Sequence, residues 1–314
     1  MGRRQNWRGT KMKLFEKIIL ISASMASLVL TVVIFITMRN EHHETRDLLS
    51  LLAAPVEQPL GSELAMRRQE VPCPSARSRT MVLLAAGQSN ASNYGGFLNR
   101  SMHGAHVVEF YQNRCYVAED PTISGDGWGG TPWVDLGNRL IESGNYDDVV
   151  IAVAAKGGSS IGEWRNGHAL NARLADIGFA LSNANLPATI IAWVQGEADR
   201  SAASYFHHTS HYSSALAEVI ATTRRFASES RFLVTLDSSC PLDPGGGLPE
   251  LSIRRAQIAA SDPDHGVTVG PDLDAINAPG DRYDVCHLSS QGLQKFVEQW
   301  VAILAPVGGQ ASIR

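Results

Sequence analysis

Asp148–Ala155 reads Asp-Val-Val-Ile-Ala-Val-Ala-Ala, an unbroken apolar run too short for a membrane span. A strand of this kind is buried on both faces, which points to a parallel sheet covered by helices on either side. Three similar runs share that constraint: Thr80–Ala86, Ala188–Val194 and Arg231–Leu236. Further strands are expected at Ala105–Tyr111 and Gly266–Gly270. Helical spacing or capping marks Trp133–Ser143, Asn166–Asn185, Ala203–Ser228 and Leu251–Ser261, with a last helix capped by Ser289 or Ser290 and running to Ala305. The alternation predicts an α/β fold, a doubly covered parallel sheet.

The front of the chain differs. Ile18–Met38 is 21 residues without a charge, enough at ~1.5 Å per residue to cross a ~30 Å hydrocarbon layer. Arg3, Arg4, Arg8, Lys11, Lys13 and Lys17 precede it, so residues 1–17 are expected in the cytoplasm and the rest outside. An uncleaved anchor is favoured over a signal peptide, because the run is long and no small-x-small site closes it. Residues 39–79 carry four prolines and balanced charges and read as a linker, with a short helix expected at Leu48–Ala54. Residues 80–314 form the expected domain. They hold 15 of the 27 Lys and Arg but 24 of the 31 Asp and Glu, a net of −9 that excludes a nucleic-acid partner.

The strand ends carry the chemistry. Gly87 permits a sharp turn after the first run, and Ser89 then sits where α/β sheets place their sites. His287 is a candidate base for Ser89, and Asp284, three residues earlier, a candidate partner for the imidazole. Gly158 offers a backbone N–H to an oxyanion, and Gln195 a side-chain one. His207, His208 and His211 lack an accompanying glutamate or cysteine cluster, so no metal is expected and no cofactor is called for. Trp128, Trp133, Trp164 and Tyr94 are candidate sugar-stacking rings, with Trp164 favoured because it follows the Gly158 turn. Lys156 and Arg165 lie near the same rim and read first as surface charges. Cys73, Cys115, Cys240 and Cys286 form no C-x-x-C pair. For Cys286, a passive filler is favoured over a bond to Cys240.

Four blocks in order, Gly87-Gln88-Ser89-Asn90, Gly157-Gly158-Ser159-Ser160-Ile161 with Trp164, Trp193-Val194-Gln195-Gly196-Glu197-Ala198-Asp199 and Asp284-Val285-Cys286-His287, resemble the SGNH hydrolase superfamily. The nearest branch is the sialate O-acetylesterase-like carbohydrate acetylesterases. Ala91 departs from the methionine common after the first block. The resemblance covers about residues 80–305. It implies a flavodoxin-like three-layer fold and metal-free removal of acetyl groups from sugars. Ser89 matches the nucleophile, His287 the base and Asp284 the triad acid. Ser89 N–H, Gly158 and Gln195 match oxyanion donors; Gln88, Asn90, Glu197 and Asp199 match residues that support the site; Trp164 is assigned to substrate binding. The expected partner is an O-acetylated glycan met by a membrane-anchored, extracytoplasmic domain. A glycan O-acetyltransferase with the same triad and a non-catalytic glycan-binding protein are the rival readings.

Overall fold

A computed structural model describes residues 61–200, 208–240 and 250–305. The expected cytoplasmic segment and anchor, the Leu48–Ala54 helix, residues 39–60 of the linker and the start of the 203–228 helix lie outside the described residues. No helix among those described is long and apolar enough to cross a membrane.

In chain order the elements are α1 (Gly61–Arg67), β1 (Glu70–Val71), β2 (Thr80–Gly87), β3 (Val107–Tyr111), β4 (Arg114–Val117), α2 (Pro132–Glu142) and β5 (Asp148–Ala155). There follow α3 (Ala169–Asn183), β6 (Ile190–Val194), α4 (His208–Arg224), β7 (Arg231–Leu236), α5 (Leu251–Ala259), β8 (Val267–Asp272) and α6 (Ser290–Leu304). The strands form one sheet in the order β1-β4-β3-β5-β2-β6-β7-β8. From β3 to β8 every pairing is parallel, and β1 and β4 add an antiparallel edge.

The six long runs are therefore strands, as their continuous apolarity requires. Alternate side chains feed two cores. Val82, Leu84, Val150, Ala152, Ile191 and Trp193 pack with α3, α4 and α5 residues such as Leu174, Leu216 and Ile253. Met81, Leu83, Val149, Ile151, Ile190 and Ala192 pack with Leu136 and Leu140 of α2 and Phe296 and Trp300 of α6. The strand order reverses at β2, with β5 on one side and β6 on the other, so the C-terminal end of β2 lies at a switch point of the sheet.

Two features depart from the sequence reading. The segment 61–79 is part of the domain: Glu70 and Val71 pair with Tyr116 and Cys115, Arg68 donates to the Glu119 and Pro121 carbonyls, and Cys73 is bonded to Cys115. Its prolines and mixed charges concealed a two-residue strand too short to show alternation. The β3–β4 hairpin was also missed. Its turn residues Gln112 and Asn113 both adopt positive φ, 48° and 61°, without the glycine that usually signals such a turn.

Beside this edge, two carboxyls are buried. Glu109 accepts from the Glu119 and Ile123 N–H groups, and Asp120 from the Asn99 and Thr131 N–H groups. Burial outweighs these bonds and pushes their pKa values up, to about 8 for Glu109 and about 7 for Asp120. Groups held protonated by the fold favour the native state most below their unfolded pKa, near 4, and lose that contribution as pH rises through the folded value. Unfolding measured by denaturant should show stability falling between pH 5 and pH 9, and Glu109→Gln should make that fall shallower.

Candidate active site

The site is built from the turns at the ends of β2, β5 and β6 and from the loop before α6. Gly87 has φ +129°, and a Cβ there would lie 1.9 Å from the Val194 carbonyl oxygen. No other residue fits this contact between β2 and β6. The chain turns, Gln88 N–H donates to Val194 O at 2.8 Å, and Ser89–Ala91 forms a single 3-10 turn rather than a full helix. Trp133, in the core rather than on a sugar face, holds that turn by donating from its indole to Ala91 O at 2.8 Å. Ser89 is 4% exposed, and neither its N–H nor its Oγ has a hydrogen-bond partner among the described residues.

At the end of β5, Gly158 adopts φ +69° with nothing near its missing Cβ, and its N–H is unbonded among the described residues. The turn is held from below by Asp126, which accepts from Gly157 N–H at 3.0 Å, Lys156 Nζ at 2.9 Å and Tyr94 Oη at 3.3 Å. Lys156 is thus paired, and Arg165 is paired with Glu218.

His287 and Asp284 meet as the sequence suggested. His287 Nδ1 lies 2.7 Å from Asp284 Oδ2, and Asp284 Oδ1 accepts from the N–H groups of Cys286 and His287 at 2.8 and 2.6 Å. Because a carboxylate only accepts, Nδ1 carries the proton, which leaves Nε2 as the basic nitrogen. Partial burial opposes ionisation of Asp284, but the His287 N–H, its imidazole and the Cys286 N–H outweigh it and hold the carboxyl below its usual range. This loop is bonded to the segment after Ser89: Gly96 N–H donates to Leu288 O at 2.8 Å, and Tyr283 Oη to Tyr94 O at 2.8 Å. Cys286 is no passive filler. It is bonded to Cys240, which anchors the histidine loop beyond the end of β7.

Three other expectations need correction. Gln195 is fully buried, and its amide nitrogen already donates to Asp199 Oδ2 (2.5 Å), Ser159 O (3.2 Å) and Gln88 Oε1 (3.3 Å), so it has no N–H for an oxyanion. Trp164 is likewise fully buried, edge-on to Trp193, with its indole donating to Ser159 Oγ; it shapes the turn and presents no face to a sugar. Tyr94 stacks on His287. Trp128, 45% exposed, is the ring of that group left open to solvent.

The expected supporting residues do interlock. Gln88 Oε1 accepts from the Gly196 and Ala198 N–H groups, Asp199 Oδ2 from Ile161 N–H, and Glu197 Oε1 from Asn90 Nδ2 at 2.6 Å. Beyond Glu197 lies Asp237, wholly buried, which the sequence reading passed over. Burial, followed by the adjacent Glu197 carboxyl, pushes its pKa well above the usual range. The available signal was a polar strand end, Asp237-Ser238-Ser239, of the kind that marked the other turns. Asp126 gave no such signal, because its bonds reach backbone groups about thirty residues away.

Residues 79–239 match the family model described as carbohydrate esterase, sialic acid-specific acetylesterase, about half of the chain. The chain belongs to this family. It is accordingly a carboxylic ester hydrolase, in a family whose chemistry is acetyl-ester hydrolysis on carbohydrates. The match includes the Ser89, Gly158 and Glu197 turns and ends before Asp284 and His287. No curated protein matches the chain. Among solved structures, a protein from Arabidopsis thaliana shares the fold, with a TM-score of 0.58 at 16% identity over 72% of this chain and 97% of its own. A carbohydrate acetylesterase from Xanthomonas citri aligns at TM-score 0.46 and 16% identity, over 72% of this chain and 56% of its own. NanS aligns at TM-score 0.46 and 14% identity, over 74% of this chain and 98% of its own.

The Gly87 contact gives a direct test of the local argument. Gly87→Ala drives a side chain into backbone at an unfavourable φ, and should cost about 3 kcal/mol or more, read as a lowered denaturant midpoint.

Proposed function

We propose that the chain is a serine esterase that removes O-acetyl groups from a carbohydrate through Ser89, His287 and Asp284. The observation that carries this reading is the Asp284–His287 pair, held in a loop bonded to the segment that follows Ser89, whose hydroxyl has no partner among the described residues. In the first half-reaction His287 Nε2 takes the Ser89 hydroxyl proton as Oγ attacks the acetyl carbonyl carbon. Negative charge develops on the carbonyl oxygen, and the N–H groups of Ser89 and Gly158, unbonded among the described residues, are its donors. Collapse breaks the ester C–O bond, and the sugar oxygen leaves with the proton from His287. Water then gives its proton to His287 and attacks the acetyl-serine. Acetate departs and Ser89 regains its proton. Asp284, ionised through the neutral range, stabilises the imidazolium formed in each half.

The proposed setting is a membrane-anchored domain outside the cytoplasm. The uncharged run 18–38 with six basic residues before it supports this, as do two disulfides, which belong to oxidising compartments.

Acetate release from p-nitrophenyl acetate and from an acetylated oligosaccharide, by the full-length chain in detergent, tests the reading. Ser89→Ala should lower kcat at least ~10³-fold with folding unchanged. Full activity in that variant would refute it, and acetyl transfer to an added glycan in preference to water would make the chain a transferase.

A further inference from the structure

Two tyrosine rings lie nearly parallel to the His287 imidazole. Tyr94 stands 5.0 Å away, centroid to centroid, with 22° between planes, and Tyr283 6.0 Å away with 24°. They are linked to each other, since Tyr283 Oη donates to the Tyr94 carbonyl at 2.8 Å. Burial, and then repulsion from Asp284, raise the Tyr283 pKa, so its hydroxyl remains a donor. Tyr94 is fixed at its far end as well. Its hydroxyl lies 3.3 Å from Asp126 Oδ2, and a Cβ on Gly157 would come within 2.5 Å of that hydroxyl oxygen. The phenol thus fills the space between the Gly157-Gly158 turn and the imidazole.

We infer that Tyr94 and Tyr283 are positioning residues that hold the His287 ring and favour its cationic form in the transition state. This rests on His287 being the base. Asp284 fixes one edge of the imidazole by a single hydrogen bond, which leaves rotation about that edge open. Near-parallel aromatic rings restrict it. Their π-faces also attract a cation, so they favour the imidazolium that exists only once the Ser89 proton has moved. Stabilisation confined to that state appears in kcat rather than KM. The link through Tyr94 further sets the histidine in register with the turn carrying the Gly158 N–H.

The test compares Tyr94→Phe, Tyr94→Leu, Tyr283→Phe and Tyr283→Leu with wild type and Ser89→Ala. It uses the full-length chain, with kcat and KM on p-nitrophenyl acetate and thermal unfolding for each. Leucine at either position should lower kcat about tenfold with KM little changed, and phenylalanine should recover most of the rate, because the stack and not the hydroxyl acts on the imidazole. Tyr283 is 54% exposed, so its leucine variant keeps the core intact and carries the test if Tyr94→Leu does not fold. Wild-type kcat in the leucine variants overturns the inference. A rise in KM alone does too, since the rings would then be a substrate platform. If Ser89→Ala is inactive while the leucine variants are normal, only the tyrosine pairing falls. If Ser89→Ala is active, the base itself falls and the pairing with it.

Discussion

The site depends on one contact, the approach of Val194 O to the bare Cα of Gly87. It lets β2 and β6 end side by side and sends the chain into the Ser89 turn in place of another strand residue. A second close approach continues it: a Cβ on Gly196 would meet the Asp237 carbonyl oxygen at 1.8 Å, so the ends of β6 and β7 are packed in the same manner. Three strand ends are thereby brought close enough for Gln88, Gln195, Glu197 and Gln257 to bond across them.

Below the serine the polar side chains bond across the strand ends, while Gln195 Oε1, Glu197 Oε2 and both Asp237 carboxyl oxygens are buried without a hydrogen-bond partner among the described residues. Gln257 donates to the Gln195 and Asp237 carbonyls and accepts from Asp237 N–H; Gln88 gathers the N–H groups of the 195–198 turn; Asn90 bonds Glu197. A network of this density has few alternative arrangements. It leaves the Ser89 hydroxyl and the Ser89 and Gly158 N–H groups without a partner among the described residues. Rigidity and vacancy are therefore divided between neighbouring residues, as preorganised electrostatic stabilisation requires.

Much of this was legible in the sequence. The parallel strands announced themselves because burial on both faces demands unbroken apolar runs, and the histidine loop because Asp284 and His287 are near neighbours. Most of what was missed had no local signature, Asp237 with its polar strand end Asp237-Ser238-Ser239 excepted. Gln195 and Trp164 carry chemically suggestive side chains, but their burial depends on how β5, β6 and α4 converge. The partnership of Cys240 with Cys286 joins segments 46 residues apart. Asp126 acts through backbone groups distant in sequence, which composition does not reveal. The domain boundary was misplaced for a related reason, since a two-residue edge strand has no periodicity to read.

The central claim is that Ser89 is the residue that takes the acyl group. Labelling the full-length chain with a fluorophosphonate and mapping the adduct by peptide mass spectrometry tests it most directly. The account predicts one adduct, on the peptide carrying Ser89, formed in step with loss of esterase activity and absent from His287→Ala. Inactivation with the label on another residue, or full activity in a chain labelled at Ser89, would contradict it.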